Sequence, residues 1–444
     1  MDFFKLKEHN TSVKSEAVGG VTTFMTMAYI IFFQPMILSQ AGMDFGAVMM
    51  ATIFSSVVAT LVMGLYANYP IALAPGIGEN FVFAFTVVIA MGVAWEKALG
   101  IVFISGFIFV ILTLFKIREI VVNAVPDSLK RAIAVGIGIY IAFIGLEWGG
   151  IIAKSPSTGV TLANLNTNYV AVFIIGFLIM LFLTARKIKG ALLWGILSTA
   201  IIAVPFGIVK FQGIVSAPPS IAPIFFKLDI VGAFKWEYIV PILVLFLLDF
   251  FDTVGTLIGV SSHAGLLDKD GNLPRAGRAL MADAIGTVVG SFLGTSNVTS
   301  FIESAAGVSE GSRTGLASVF TAGCFMVAIF FYPIVKAIGG GYAAGEELFH
   351  PVTAPALVLV GALMIKSVAN IKWDDVTETI PAFLVLVGIP LTYSISNGMS
   401  LGFVSYPLMK LFSGRVKEVH PIMWVLGVVF AVNLVLSTRY KSIL

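Results

Sequence analysis

NYPIALAPGIGEN, residues 68–80, sits inside an otherwise apolar run and is broken by Pro75, Gly76 and Gly78. FLGTSNVTSFIES, residues 292–304, sits inside another, where Gly294 is followed by Thr295, Ser296, Asn297, Thr299 and Ser300. Both breaks free backbone N–H and C=O groups where no water can satisfy them. Irregular backbone at membrane depth survives only inside protein or against a cavity. A slide of 225 or 226 residues carries Thr26 onto Asp252, Gly64 onto Gly290, Pro126 onto Pro351 and Gly136 onto Gly361, and brings the two broken stretches to within a residue of register. Interrupted spans at corresponding places of two halves point to a binding site near the bilayer midplane. A pair of kinks that only permits close helix packing is the blander reading, and the acids beside both breaks weigh against it.

The rest of the chain supports a membrane setting. Of 444 residues, 58% are hydrophobic and 11% charged, against about 25% charged in an average soluble protein. The mean hydropathy is +1.00. That leaves too little charge to coat a globule, which excludes a soluble enzyme, a nucleic-acid-binding module and a disordered chain. A hydrocarbon core about 30 Å thick takes roughly 20 apolar residues per helix. Apolar segments fall at about 17–39, 46–67, 71–91, 96–115, 127–146, 168–185 and 190–209, then at 237–261, 277–293, 298–309, 314–336, 351–370, 377–393, 398–412 and 420–437. Fourteen of them precede Gly414, seven in each half, and an odd number inserts the second half upside down. The predicted fold is an all-α polytopic membrane protein of two inverted seven-span repeats. The surplus segment 420–437 is either a fifteenth crossing or a helix lying against the bundle.

Lys and Arg orient the chain. Lys5, Lys7 and Lys14 begin a series continued by Lys116, Arg118, Lys130 and Arg131, then Arg186, Lys187 and Lys189, then Lys269, Arg275 and Arg278. Arg313, Lys366, Lys372, Lys410, Arg415 and Lys417 extend it. The N-terminus is therefore expected in the cytoplasm, although Lys210, Lys227 and Lys235 in the long central connection go against the rule. A single cysteine, Cys324, leaves no disulfide or thiolate metal cluster, and His9, His263, His350 and His420 lack HxxxH-type spacing, so no metal or other cofactor is expected. The polar N-terminus does not read as a signal peptide.

Most acidic residues flank spans, but Glu79, Asp249, Asp252 and Glu303 do not, and Asp283 reads as a packing or capping group nearer a span end. An ionised acid at the bilayer centre costs about 2.5–3.5 kcal/mol on insertion scales, so four of them imply use or internal partners. Asp249 and Asp252 stand three apart and share one side of a helix. Two carboxylates that close in a low dielectric do not easily both ionise, so the pair holds a proton between them, as a proton-coupled carrier requires. No Lys or Arg lies in the middle of a span, which makes the pocket acceptor-rich and unsuited to anions. Phe81, Phe83 and Phe85, alternating after the first break, and Phe301 in the second are candidates for stacking on a flat ligand. A neutral, N–H-rich ring such as a nucleobase fits acids and aromatics together.

GGVTTFMTMAYIIF (19–32), ALAPGIGENFVFAF (72–85), LDFFDTVGTL (248–257), TSNVTSFIESAAG (295–307) and EVHPIMW (418–424) resemble the AzgA-like guanine/hypoxanthine/adenine permeases of the nucleobase–cation symporter group. The resemblance runs from about residue 15 to the C-terminus. It implies short extended strands in broken spans 3 and 10 that cradle the base. It also implies a core domain (15–120 and 235–340) working against a gate domain (121–212 and 341–444), with purine uptake driven by proton symport across the plasma membrane. Matched to the family's motifs, Asn80, Asp249 and Glu303 would bind the purine, Asp252 would assist proton coupling, and Thr26 would lie near the pocket. Glu79 departs from the pattern, which has an aliphatic residue there, and is a second protonation site, a substrate contact or a sheltered structural group. The alternatives are the same fold carrying uracil, xanthine or an anion, a cation channel, and an intramembrane enzyme, which lacks a nucleophile with a base. The small residues on the spans permit a homodimer and equally permit packing within one chain.

Overall fold

The computed structural model describes residues 2–115, 124–269 and 273–441. Lys116, Arg118 and the expected domain boundary at 120/121 lie outside the described residues. Among these residues eight helices are long and apolar enough to cross a membrane unaided, and shorter apolar helices complete the set.

The first repeat runs through span 1 (Val13–Ser39), span 2 (Phe45–Ala67), a broken span 3, span 4 (Trp95–Leu114), span 5 (Asp127–Trp148), span 6 (Asn168–Ala185) and span 7 (Ala191–Ala203). The second runs through span 8 (Trp236–His263), span 9 (Ala276–Leu293), a broken span 10, span 11 (Gly315–Gly339), span 12 (Ala354–Asn370), span 13 (Val376–Thr392) and span 14 (Ile395–Phe412). Span 3 consists of strand β1 (Leu73–Pro75), a single helical turn Ile77–Phe81 and the π-helix Val82–Ala90. Phe81 and Phe85 consequently share a helix face, and the alternation of three rings expected from the sequence does not occur. Hairpin β2–β3 (Ile152–Ser155, Gly159–Leu162) follows span 5. Span 10 consists of β4 (Val298–Ser300) and the short helix Ser304–Ser309. Hairpin β5–β6 (Tyr342–Ala344, Glu347–Phe349) precedes span 12.

The repeat register holds from span 1 against span 8 to span 5 against span 12. It then shortens, because hairpin β2–β3 has no counterpart between spans 12 and 13. The surplus segment is a helix, Pro421–Lys441, packed along span 14 with the Phe403 and Phe430 rings 4.7 Å apart. At 1.5 Å per residue its 21 residues reach about 31 Å, the thickness of the hydrocarbon core.

Glycines let the spans meet. A Cβ on Gly64 of span 2 would strike the Gly315 carbonyl at the start of span 11, and Gly138 and Gly361 bring spans 5 and 12 together in the same way. In lipid, association rests on such backbone-to-backbone contact because the tails offer no hydrophobic driving force.

Candidate functional site

The two breaks meet. Strands β1 and β4 pair antiparallel, with Leu73 opposite Ser300, Ala74 opposite Thr299 and Pro75 opposite Val298. The repeat shift of 225 carries Ala74 onto Thr299, its own partner, so a pseudo-twofold axis passes through the middle of the pair. Gly76 N–H donates to Asn297 O (3.0 Å) and Phe301 N–H to Ala72 O (2.9 Å), which extends the ladder at both ends. A three-residue strand would leave its outer edge bare, and in each half a threonine closes it. Thr60 of span 2 accepts from Leu73 N–H (2.9 Å) and donates to Leu73 O (3.0 Å). Thr287 of span 9 accepts from Val298 N–H (3.0 Å) and donates to Val298 O (3.1 Å). Ser304 accepts from Ala72 N–H and Thr253 from Ser300 N–H. Extended backbone is thus kept at membrane depth with its polar groups partnered, as lipid demands.

The acids surround this pair. Asp249 is fully buried behind β4, where its Oδ2 accepts from Asn297 Nδ2 (3.0 Å) and shares the Thr287 hydroxyl proton, at 2.9 Å, with Val298 O. Asp283, also fully buried, accepts from Thr253 (2.5 Å) and Ser300 (3.2 Å). The remaining oxygens, Asp249 Oδ1 and Asp283 Oδ1, are both buried, and neither has a hydrogen-bond partner among the described residues. From sequence Asp283 reads as a packing or capping group nearer a span end. Its spacing from Asp249 becomes meaningful only once spans 8 and 9 pack side by side.

Asp252 lies at the front of the strands, with Thr299 Oγ1 3.5 Å from its Oδ2, and it is exposed. Below it on span 8 the exposed positions are Gly255, Ile258, Gly259, Ser262, His263 and, past the helix end, Gly265, leading to the N-terminal side of the membrane. A lipid-facing strip would be apolar throughout; this one carries a single large apolar residue, Ile258, among glycines, a serine and a histidine, and is suited to water. Asp249 and Asp252 were expected to share one helix side as a pair; they flank one strand instead, one behind it with Thr287 and Asn297 and one before it by Thr299.

Glu303 stands at the N-terminal end of the short span 10 helix. Its Oε1 accepts from Tyr29 Oη at 2.5 Å, and its backbone carbonyl accepts from Thr26 Oγ1 at 3.3 Å. The Thr26 hydroxyl bonds Thr23 O of its own helix more closely (2.8 Å), so Thr26 lies beside the chain that presents Glu303. Asn80 is fully buried, its Oδ1 bonded to the Ser296 hydroxyl, and among the described residues its Nδ2 has no protein partner. Gln34 of span 1 bonds Thr295 at 2.6 Å and fixes the turn into β4. The Glu79 carboxylate folds back over Gly76, where a Cβ would collide with it. Phe301 lies 6.4 Å from the Tyr29 ring, while Phe81 stacks on Phe85 (5.3 Å) and meets the edge of Tyr140 on span 5 (5.7 Å). None of the ion pairs among the described residues involves Glu79, Asp249, Asp252, Asp283 or Glu303. Tyr29, Asp283, Ser296 and Thr299 are site residues the sequence reading did not assign.

The Permease family (Xan_ur_permease) matches residues 14–401. The permease MJ0326 of Methanocaldococcus jannaschii is 54% identical over 98% of this chain and 97% of its own length. The adenine permease AdeP of Escherichia coli (strain K12) is 41% identical over 97% and 95%. The guanine/hypoxanthine permease PbuG of Bacillus subtilis (strain 168) is 42% identical over 96% and 98%. Among solved structures, the transmembrane domain of the cyanobacterial bicarbonate transporter BicA aligns with a TM-score of 0.60 over 88% of this chain and 97% of that one. At 16% identity it bears on the fold alone.

Proposed function

This chain belongs to the Permease family, and from that premise we propose that it imports purine nucleobases (hypoxanthine, guanine, adenine) by proton symport through alternating access. It does so as a multi-pass protein of the plasma membrane with its N-terminus in the cytoplasm, and the small residues on its spans permit a homodimer. Relatives over 40% identical across nearly their whole length bear the names of adenine and guanine/hypoxanthine permeases. The observation that carries the reading is the pair of acids, Glu303 and Asp252, beside strand β4 with no cation paired to either among the described residues. Such a site offers acceptors to ring N–H groups and repels anions.

In this scheme Glu303, oriented by Tyr29 with Thr26 beside its chain, accepts a purine N–H. Asp252, at the open front of the strands, accepts a second, and Asn80 reads the ring edge with its free amide. Phe301 and Phe81 bound the plane of the base. Asp249, enclosed with Asp283, carries the coupling proton, so the roles first assigned to Asp249 and Asp252 are exchanged. Glu79 is a second protonation site. The core domain (15–120, 235–340) moves against the gate domain (121–212, 341–444). The contacts of Phe81 with Tyr140 and of Phe85 with Trp148 (6.0 Å) close the seam on the side away from the N-terminus, while the strip below Asp252 stays open toward it.

The test is equilibrium binding of hypoxanthine to the purified protein, with guanine, adenine, uracil, xanthine and bicarbonate as competitors. Purines should displace it and Glu303→Gln should abolish it. Displacement by uracil or bicarbonate as effective as by guanine would move the chain to another cargo, and wild-type binding by Glu303→Gln would remove the site.

A further inference from the structure

The long connection between spans 7 and 8 holds the three lysines that break the charge rule, and its end is folded against span 4. Asp229 N–H donates to Glu96 O (2.8 Å), and the Asp229 carboxylate accepts from Gly232 N–H (2.7 Å), closing the helical turn Ile230–Ala233. That turn sits on Gly100, where a Cβ would strike the Asp229 carbonyl and Ala233. Deeper in the membrane span 4 meets span 8 itself through Phe109, whose ring lies 5.3 Å from Phe250 and 6.0 Å from Phe246. Between these two points of contact spans 4 and 8 stand apart and enclose a groove of roughly 430 Å³.

Its floor is apolar, formed by Ile104 and Ile108 of span 4 with Ile239, Ile242 and Leu243 of span 8. Its mouth carries Lys235 and Trp236, both exposed. From Trp236 to Leu243 the helix descends about 10 Å, within one leaflet of a hydrocarbon core about 30 Å thick. Tryptophan marks the headgroup level in membrane proteins. Lys235 enters none of the ion pairs among the described residues. The neighbouring acids leave it available: Asp229 is engaged in its turn, and Glu237 is exposed one residue past Trp236. An apolar slot within one leaflet, with an unpaired ammonium at headgroup level, is complementary to one kind of molecule.

We propose that this groove is a binding site for an anionic phospholipid, with one acyl chain between spans 4 and 8 and the headgroup phosphate on Lys235. The occupant is set by charge as well as shape. A zwitterionic lipid fills the slot equally well and gains little from Lys235, whereas an added negative charge does. It would also explain why a lysine is kept on the membrane face where the charge rule predicts few, and it requires nothing of the purine site.

The experiment is native mass spectrometry of the full-length protein in detergent, titrated with dioleoylphosphatidylglycerol or dioleoylphosphatidylcholine. The first lipid bound should be phosphatidylglycerol, preferred by about fivefold, the increment that one basic residue supplies at a membrane surface. Lys235→Gln should reduce that preference to parity. Leu243→Trp, which fills the groove from span 8, should remove the first binding event for both lipids. Ile104→Trp, which fills it from span 4, should do the same should the span 8 variant fail to fold. Equal binding of both lipids, unchanged by Lys235→Gln, would overturn the assignment of the headgroup. Wild-type lipid retention in a folded groove-filling variant would overturn the site.

Discussion

Replacing Tyr29 by Phe removes one hydroxyl and leaves the ring where it packs, 5.7 Å from Phe33 and 6.4 Å from Phe301. That hydroxyl gives Glu303 its 2.5 Å bond and points the carboxylate at the strand crossing. A hydrogen bond to an ionised group contributes about 1.5–3 kcal/mol net. The lower end applies here, because Asp252 nearby is exposed and water entering at the front of the strands can replace part of what is lost. The predicted result is about a tenfold rise in the Kd for hypoxanthine, the equivalent of about 1.4 kcal/mol. Maximal uptake per folded molecule should change little, since the coupling acids are untouched. Tyr140→Phe is the control: its hydroxyl bonds the Tyr393 carbonyl at 3.2 Å, away from any acid in the strand crossing, and its loss should leave the affinity unaltered. The assay is competition binding on purified protein of equal thermal stability. Wild-type affinity in Tyr29→Phe would refute the argument that Tyr29 presents Glu303 to the substrate, and equal losses in both variants would reduce the effect to general packing.

Asp283→Asn removes the second fully buried carboxyl behind the strand pair, the one held by Thr253 and Ser300. Accumulation of hypoxanthine against a gradient should disappear while exchange at equal concentrations persists, and retained accumulation would place the coupling proton elsewhere. Gly76→Ala would drive a methyl into the Glu79 carboxylate and the Thr299 methyl, with overpacking of about 1–3 kcal/mol, readable as a lowered Tm together with lost uptake. Lys410 is a buried ammonium held by Glu418 (2.9 Å), Glu378 (3.2 Å) and Asp375 (3.7 Å). Lys410→Met strands the buried Glu378, with an expected loss of about 3–5 kcal/mol in thermal unfolding. The same cluster sets a pH window. The Arg415 hydrogen bond, then that of Lys410, lowers Glu418 to about 2, and Thr377 and then Arg415 hold Asp375 below the usual carboxylate range. Acids depressed in the folded state add stability above their unfolded values near pH 4 and lose it as the pH falls through the folded ones. The Tm should therefore hold steady above about pH 5 and drop between about pH 4 and 2, and a Tm independent of pH across that window would contradict the clasp.

Span number, the inverted repeat and the two broken spans were legible in the sequence because each is one-dimensional: hydropathy, a shift, a run of Pro and Gly. That the two strands pair was not legible, although the shift of 225 that relates the halves carries Ala74 onto its partner Thr299. What stayed hidden depended on depth and on neighbours from other spans. Asp249 and Asp252 look equivalent on a helical wheel, yet one is closed in by Thr287 and Asn297 and the other faces an open strip. Asp283 reads as a packing or capping group because nothing local reveals that span 9 turns it toward Thr253 and Ser300. Tyr29 was one aromatic among many until span 10 brought Glu303 to its hydroxyl. The helical reading of Phe81 and Phe85 was masked by Pro75 and Gly76, which suggested extended chain beyond the point where the π-helix begins. The shortening of the second repeat after span 12 traces to a single hairpin, β2–β3, whose turn residues resemble any other loop.

The central claim is proton-driven purine transport, and uptake of radiolabelled hypoxanthine into proteoliposomes under an imposed inward proton gradient tests it most directly. The account predicts accumulation above equilibrium that a protonophore collapses, that unlabelled guanine and adenine suppress, and that Asp249→Asn eliminates. Uptake indifferent to the protonophore, or none from correctly inserted protein that still binds hypoxanthine, would contradict it.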